Sequence, residues 1–250
     1  MFLTRSIGLL CDGLLSLLYP QSCAICGRSV EQRQLGVVCA ECWDNTRLIA
    51  NEDIVCWKCG VPSAGTIASE KREQVRCHRC IGDRFAAARA CGAYEGALRA
   101  SVLNLKREPN VPSRLLELLL KKHELTPLNG ATRIVPVPLH PEREKARGFN
   151  QAAVVGRELA RLTRLPLDET SLIRIVHSER HRAGMDAKGR RETVAEAFVV
   201  RHPRLIEKER VLLIDDVFTT GATVSSCASA SLAAGAQEVF VLTIARTGWE

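Results

Sequence analysis

Aromatic residues are scarce: Phe, Tyr and Trp together make up 4% of the 250 residues. Single-strand binding usually couples a positive groove with exposed aromatics, and no basic-aromatic alternation occurs here. A DNA-binding surface is therefore not legible as a motif. No uninterrupted apolar run approaches the ~20 residues of a membrane helix, so no membrane span is expected. No Gly-x-x-x-x-Gly-Lys-Ser/Thr loop is present, which removes the P-loop nucleotide hydrolases. The apolar stretch near the start lacks a small-residue cleavage pattern, so a secretory signal fits badly and a cytoplasmic location is expected. Composition excludes less. Apolar residues are 46% and charged residues 25%, ordinary for a globular chain, and the charge of 35 − 28 = +7 favours phosphates or nucleic acid without specifying either.

Residues 1–20 read as a short amphipathic helix. Ile7, Leu10, Cys11, Leu14, Leu17 and Leu18 fall on one face, and Pro20 stops the pattern. A helix packed on the following module is favoured over one lying on a membrane surface.

Cysteine is what the chain has in excess. Eight of its 11 cysteines lie between Cys23 and Cys80, in four Cys-x-x-Cys pairs. Two intervening residues let both thiolates face one metal from a tight turn, and Gly27 and Gly60 relieve that turn after two of the pairs. Zinc takes four such ligands in a tetrahedron. Sequential pairing gives one site from Cys23, Cys26, Cys39 and Cys42, and a second from Cys56, Cys59, Cys77 and Cys80. A cross-braced pairing would use the same residues. Disulfides suit exported chains, and a redox pair does not usually come four times over. Four thiolates leave no open coordination position, so the expected zinc is structural and supplies folding free energy to a region too polar to bury its own core. His78 lies between ligands and is not expected to be one. Cys91 and Cys227 are isolated and read as packed. Ser63–Arg76 reads as a solvated loop.

From about Phe85 apolar runs alternate with helical patterns, the signature of β-α units around a mostly parallel sheet. Strands are expected at Ala86–Tyr94, Arg133–Val137, Arg210–Ile214 and Glu238–Ala245. Helices are expected at Gly96–Lys106, Pro112–His123, Asn150–Arg164 and Ala222–Ala234. The third strand is apolar throughout and so central.

That strand leads into Asp215-Asp216-Val217-Phe218-Thr219-Thr220-Gly221-Ala222-Thr223. Two carboxylates arrive at the sheet's carboxyl edge, where open α/β sheets bind ligands. A turn of small and hydroxylic residues then opens a helix, whose first N–H groups favour an anion. The combination is a phosphate cradle beside an acidic pair, and vicinal sugar hydroxyls are suitable donors to that pair. An ordinary strand-turn-helix would have no packing use for two adjacent acids aimed into one small loop.

Residues 211–223 resemble the phosphoribosyl pyrophosphate (PRPP) motif of type I phosphoribosyltransferases. With the cysteine pairs, Val135-Pro136-Val137-Pro138-Leu139-His140 and Arg147-Gly148-Phe149-Asn150-Gln151, nearly the whole chain resembles the ComF family, competence-type proteins linked to DNA uptake. The resemblance implies an α/β fold: a type I phosphoribosyltransferase-like parallel sheet flanked by helices, with a small N-terminal double zinc ribbon. The corresponding division is a helix at 1–20, ribbons at 21–84 and the sheet domain at 85–250. It implies that Asp215 and Asp216 are the catalytic carboxylates contacting ribose hydroxyls, that Thr219, Thr220, Gly221, Ala222 and Thr223 hold the 5′-phosphate, and that a Pro138–Arg147 loop holds pyrophosphate in the presence of magnesium. Arg143, Lys145 and Arg147 in that loop suit bidentate or point-charge contacts to pyrophosphate, although a solvated loop would also carry such cations. Lys106 and Arg107 could reach the same anion.

The chain departs from the family at Arg180–Phe198. There the family has Gln-x-x-Leu followed by Arg and Asn, and this sequence reads Arg182, Met185, Arg190 and Thr193. The charged stretch from Glu179 to Glu192 fits a flap over the site, a nucleic-acid contact or a solvated loop. Two functions follow. One is a phosphoribosyltransferase acting on PRPP and an unidentified acceptor, for which no binding hood is legible. The other is a non-catalytic accessory factor that binds single-stranded DNA or competence-machinery proteins with the same fold.

Overall fold

The computed structural model describes residues 21–63, 69–125, 127–175 and 197–248. The expected amphipathic helix at 1–20 lies outside them. So do Arg182, Met185, Arg190 and Thr193.

Four strands form the central sheet: β1 (Ala87–Ala93), β2 (Arg133–Pro136), β5 (Arg210–Phe218) and β6 (Glu238–Arg246), in the order β1-β6-β5-β2. Every pairing is parallel. The β5 and β6 strands are central and buried on both faces, which is why they read as continuous apolar runs rather than alternating ones. Successive side chains still point to opposite sides. Leu212 and Ile214 join Phe240 and Leu242 in one core, and Val211 and Leu213 join Val239 and Val241 in the other. The first core is completed by α2 (Gly96–Leu105), α3 (Ser113–His123) and α5 (Gln151–Thr163), through Leu98, Val102, Leu115, Leu119, Val155 and Leu159. The second is completed by α6 (Ala222–Ala233), through Val224, Cys227 and Ala228. This is the expected parallel sheet flanked by helices behind a small cysteine-rich module.

Four features differ from expectation. The β5 strand continues to Phe218, because Asp215 pairs with Thr243 and Val217 with Ala245 on β6. The carboxylates end the apolar run without ending the hydrogen-bond ladder. Pro138–Arg147 is not a loop throughout: Pro141–Arg147 is a helix, α4. Proline in its first turn, Glu142 and Glu144 near its start, and Lys145 and Arg147 near its end suit the helix dipole. Thirdly, Leu172–Arg174 (β3) and Phe198–Val200 (β4) form an antiparallel pair over α6, too short to stand out in the sequence. In the stretch expected as a solvated loop, Ser69–Gln74 form a 3-10 turn.

The cysteine module straddles the β1 edge. The short helix α1 (Ala40–Asp44) contributes Trp43, which joins Cys23 and Cys39 in the first core, whereas Cys56, Cys59 and Cys80 belong to the second. Between the two groups, Arg47–Ile49 lies along β1. The Ile49 N–H donates to the Cys91 carbonyl at 2.9 Å, and the Ala93 N–H donates to the Arg47 carbonyl at 3.0 Å. An otherwise open strand edge is thereby covered. The approach is close enough to require glycine at 92, where a Cβ would stand 2.3 Å from the Arg47 carbonyl oxygen. Among the described residues no helix is long and apolar enough to cross a membrane.

Candidate functional site

The β2 strand stops at Pro136, opposite Ile214, while β5 runs four residues further. A cavity of about 240 Å³ opens there. Asp215, Asp216 and Thr223 line it from β5 and α6, and Lys106, Arg143, Arg147 and Arg174 line it from other elements. Four cations thus surround two carboxylates. Lys106 follows α2 and places its Nζ 3.3 Å from Oδ2 of Asp216. Arg147 hydrogen-bonds the Gln151 side-chain oxygen across the α4–α5 junction. Asn150 holds that junction against the sheet, donating from Nδ2 to the Val137 carbonyl at 2.9 Å and accepting the Ala152 N–H at 3.0 Å to cap α5.

The two aspartates are not equivalent. Burial, reinforced by the neighbouring charge of Asp216, pushes the Asp215 carboxyl up to about 7, against the opposing pull of the Asp216 N–H and of Lys106. That N–H donates to Asp215 Oδ1 at 2.8 Å. Asp215 can therefore change charge near neutral pH, while Asp216 is ion-paired.

The turn after β5 is fixed by Gly221, whose φ of +82° opens α6. A Cβ there would meet the Phe218 ring at 2.8 Å, so both backbone and space demand glycine. Not all of the turn's hydroxyls reach the acidic cavity. Thr223 does; Thr219 and Thr220 line an adjoining hollow of about 400 Å³ beside Cys59, Cys80, Asp83 and Arg246. Lys145 and Arg107 are exposed and do not line the acidic cavity. The structure adds Arg174 and Asn150 to the residues picked from the sequence. The cap at Asn150 was legible before a helical run, whereas nothing local marked Arg174.

The cysteines form the two expected groups: Cys23, Cys26, Cys39 and Cys42, and Cys56, Cys59, Cys77 and Cys80, each with all sulfurs within 4.8 Å of one another. Sulfur separations of 3.6 Å for Cys26–Cys39 and Cys56–Cys80, and 3.5 Å for Cys59–Cys77, are far from a bond of about 2.05 Å. They match thiolates about 2.3 Å from a shared zinc. His78 is in neither group. The Cys39 N–H donates to Cys23 Sγ at 3.4 Å and the Cys77 N–H to Cys56 Sγ at 3.3 Å. The Cys59 side chain, with backbone N–H groups, draws the Cys56 thiol down to about 4, while burial and neighbouring sulfurs push Cys80 up to about 12. Four sulfurs converging within 4.8 Å of one another are the donor set that a tetrahedral zinc takes. Cys91 and Cys227 are buried, as expected.

Residues 14–81 match the double zinc ribbon domain family. The chain is 33% identical over 136 residues to competence protein F of Haemophilus influenzae, covering 54% of this chain and 59% of that relative. It is 27% identical over 236 residues to the DNA utilization protein YhgH of Escherichia coli O157:H7, covering 91% of this chain and 98% of that one. Among solved structures, the purine phosphoribosyltransferase of Pyrococcus horikoshii is similar with a TM-score of 0.35 and 14% identity, over 54% of this chain and 81% of that one.

Proposed function

We propose that this chain, which belongs to the ComF family of competence-type proteins, binds PRPP or a related ribose phosphate through its sheet domain and acts in DNA uptake. The observation that carries the ligand is the meeting of Asp215, Asp216, Thr223 and four cations in one cavity at the sheet's carboxyl edge. The 5′-phosphate would sit at the start of α6 near Thr223, where first-turn N–H groups and the helix dipole favour an anion. Asp215 and Asp216 would accept hydrogen bonds from the ribose hydroxyls. Arg143, Arg147 and Lys106 would hold pyrophosphate; Lys145, exposed on the same helix, does not line the cavity. Magnesium bound with the ligand would offset the pyrophosphate charge. In transfer, the guanidinium groups would stabilise the charge that develops on departing pyrophosphate, with positioning supplying most of the rate.

The proposed organisation is a helix at 1–20, ribbons at 21–84 and a sheet domain at 85–250, with two structural zinc ions and a cytoplasmic location. PRPP with magnesium should raise the melting temperature, since a ligand bound only by the native state stabilises it by mass action. Asp215→Asn combined with Asp216→Asn should abolish that shift. Absence of any shift in the wild type at millimolar PRPP overturns the reading. Pyrophosphate release from PRPP, run across a panel of bases beside the double variant, separates turnover from binding.

The names of the relatives favour a second reading, in which the same cations engage single-stranded DNA or a competence-machinery partner without turnover. Oligonucleotide binding that weakens steeply with salt supports it, and a salt-insensitive or absent signal removes it.

A further inference from the structure

The face of α3 that carries Leu115 and Leu119 into the core continues to Lys122 at the same helical spacing. A lysine there is unexpected, because burying an ammonium costs free energy unless it is paired. Lys122 is 5% exposed. Its Nζ donates to the Ile49 carbonyl at 2.5 Å and to Asn51 Oδ1 at 3.0 Å. An ammonium has three donors. It lines a cavity of about 230 Å³ that shares no residue with the acidic cavity.

Two further cations line this cavity. Arg72 donates from Nη2 to the Glu52 carbonyl at 2.7 Å and from Nη1 to the Asn51 carbonyl at 3.3 Å. Its Nε is buried without a partner among the described residues. Arg89 donates to the Trp57 carbonyl at 2.8 Å and lies 5.1 Å from the Trp57 ring centre. The opposing charges are few. Asp53 lines the cavity and accepts the Ala50 N–H at 2.7 Å. Glu52, exposed nearby, also acts on Lys122, and the thiolates of Cys56 and Cys59 act on Arg89. Ile49, Val55, Trp57 and Leu125 supply apolar wall.

We infer that this cavity is a second binding site, for a small organic anion whose phosphate or carboxylate meets Lys122 and Arg72 and whose apolar body lies against Trp57 and Leu125. Such a ligand would place its charge beside the Lys122 ammonium and the Arg72 guanidinium that line the cavity, and the apolar wall would select it over a bare inorganic ion.

The test is calorimetric titration of the full zinc-loaded chain with three probes: inorganic phosphate, benzoate and thymidine 5′-monophosphate. Benzoate and the nucleotide separate a carboxylate source from a phosphate one. At least one of the two should bind with a submillimolar Kd, at least tenfold tighter than inorganic phosphate. Arg72→Gln should weaken that binding fivefold or more and leave the PRPP-induced thermal shift in place. Lys122→Met should abolish it; should that variant fail to fold, Arg72→Gln alone decides. Asp215→Asn with Asp216→Asn should leave the Kd unchanged. The inference is overturned if neither organic probe binds, if Arg72→Gln binds as well as the wild type, or if the double aspartate variant abolishes binding, which would place the probe in the acidic cavity.

Discussion

Arg246, the last residue of β6, donates from Nη1 to the backbone carbonyl of Cys59 at 2.6 Å. Its guanidinium also lies 5.2 Å from the centre of the Phe218 ring, the residue that ends β5 and packs against Gly221. One side chain therefore joins the second cysteine group, the sheet edge and the turn that opens α6. Burial pulls the Arg246 pKa down and the thiolates of Cys59 and Cys77 push it back up. A guanidinium stays charged under such conditions, and it offsets the negative charge that four thiolates leave on a zinc site.

Removing that guanidinium should therefore do more than lose one hydrogen bond. Arg246→Met would leave the Cys59 carbonyl without this donor and remove one of the two guanidinium groups, with Arg89, that offset the thiolates, at a cost of about 2–4 kcal/mol. Urea unfolding measures it. The same variant should lose most of the thermal shift given by PRPP, because Phe218 and Gly221 are no longer braced. A variant as stable as the wild type would mean that the ribbon and the sheet edge are not coupled.

Metal content should be about two zinc ions per chain in freshly prepared, reduced protein. Cys23→Ser and Cys56→Ser should each lower it to about one, from different sites. Chelation should unfold the cysteine module, seen as loss of its amide-exchange protection, and should expose the β1 edge that Arg47–Ile49 covers. A metal content near zero would refute the ribbons.

How far the sequence carries depends on the range of each interaction. The cysteine groups were legible because their ligands are paired locally, two residues apart. The strands were legible because a central parallel strand is apolar on both faces, as Val211–Ile214 shows. The carboxylates and Thr223 were legible because strand, turn and helix follow one another directly. Arg174 was not: its place in the cavity is set by the β3–β4 pairing, between segments far apart in the chain. The charge pattern of Pro141–Arg147 was read as an anion-binding or solvated loop, though the same pattern suits a short helix. Thr219 and Thr220 looked equivalent to Thr223, but they sit in the turn before α6 and line a different hollow, shared with the second cysteine group.

Gly221→Ala should be costly for a residue of that size. It forces a left-handed φ on a side chain and drives a methyl group against Phe218. The expected loss is about 1–3 kcal/mol by urea unfolding. Phosphate-ligand stabilisation should fall with it, since the first turn of α6 must shift. An unchanged unfolding midpoint would show that Phe218 yields freely and that the turn is not fixed by this contact.

Asp215 gives a prediction in pH. Its carboxyl sits at about 7 in the folded chain, raised chiefly by burial and then by Asp216. In the unfolded chain an aspartate titrates near ~3.9. Between those values the folded state holds the proton more tightly than the unfolded state. This group's contribution to stability is therefore greatest below about pH 4, declines as pH rises toward 7, and is constant above that. Asp215 keeps partial exposure through the cavity, so screening limits the decline to about 1–3 kcal/mol. Asp215→Asn cannot ionise and escapes it. The variant's melting temperature relative to the wild type should accordingly climb between pH 4.5 and 7.5 and then level off, with other titrating groups cancelling in the comparison. A gap that stays flat over that range would mean that Asp215 ionises as an ordinary surface carboxylate and that the acidic pair is open to water, not held within a desolvated ligand site.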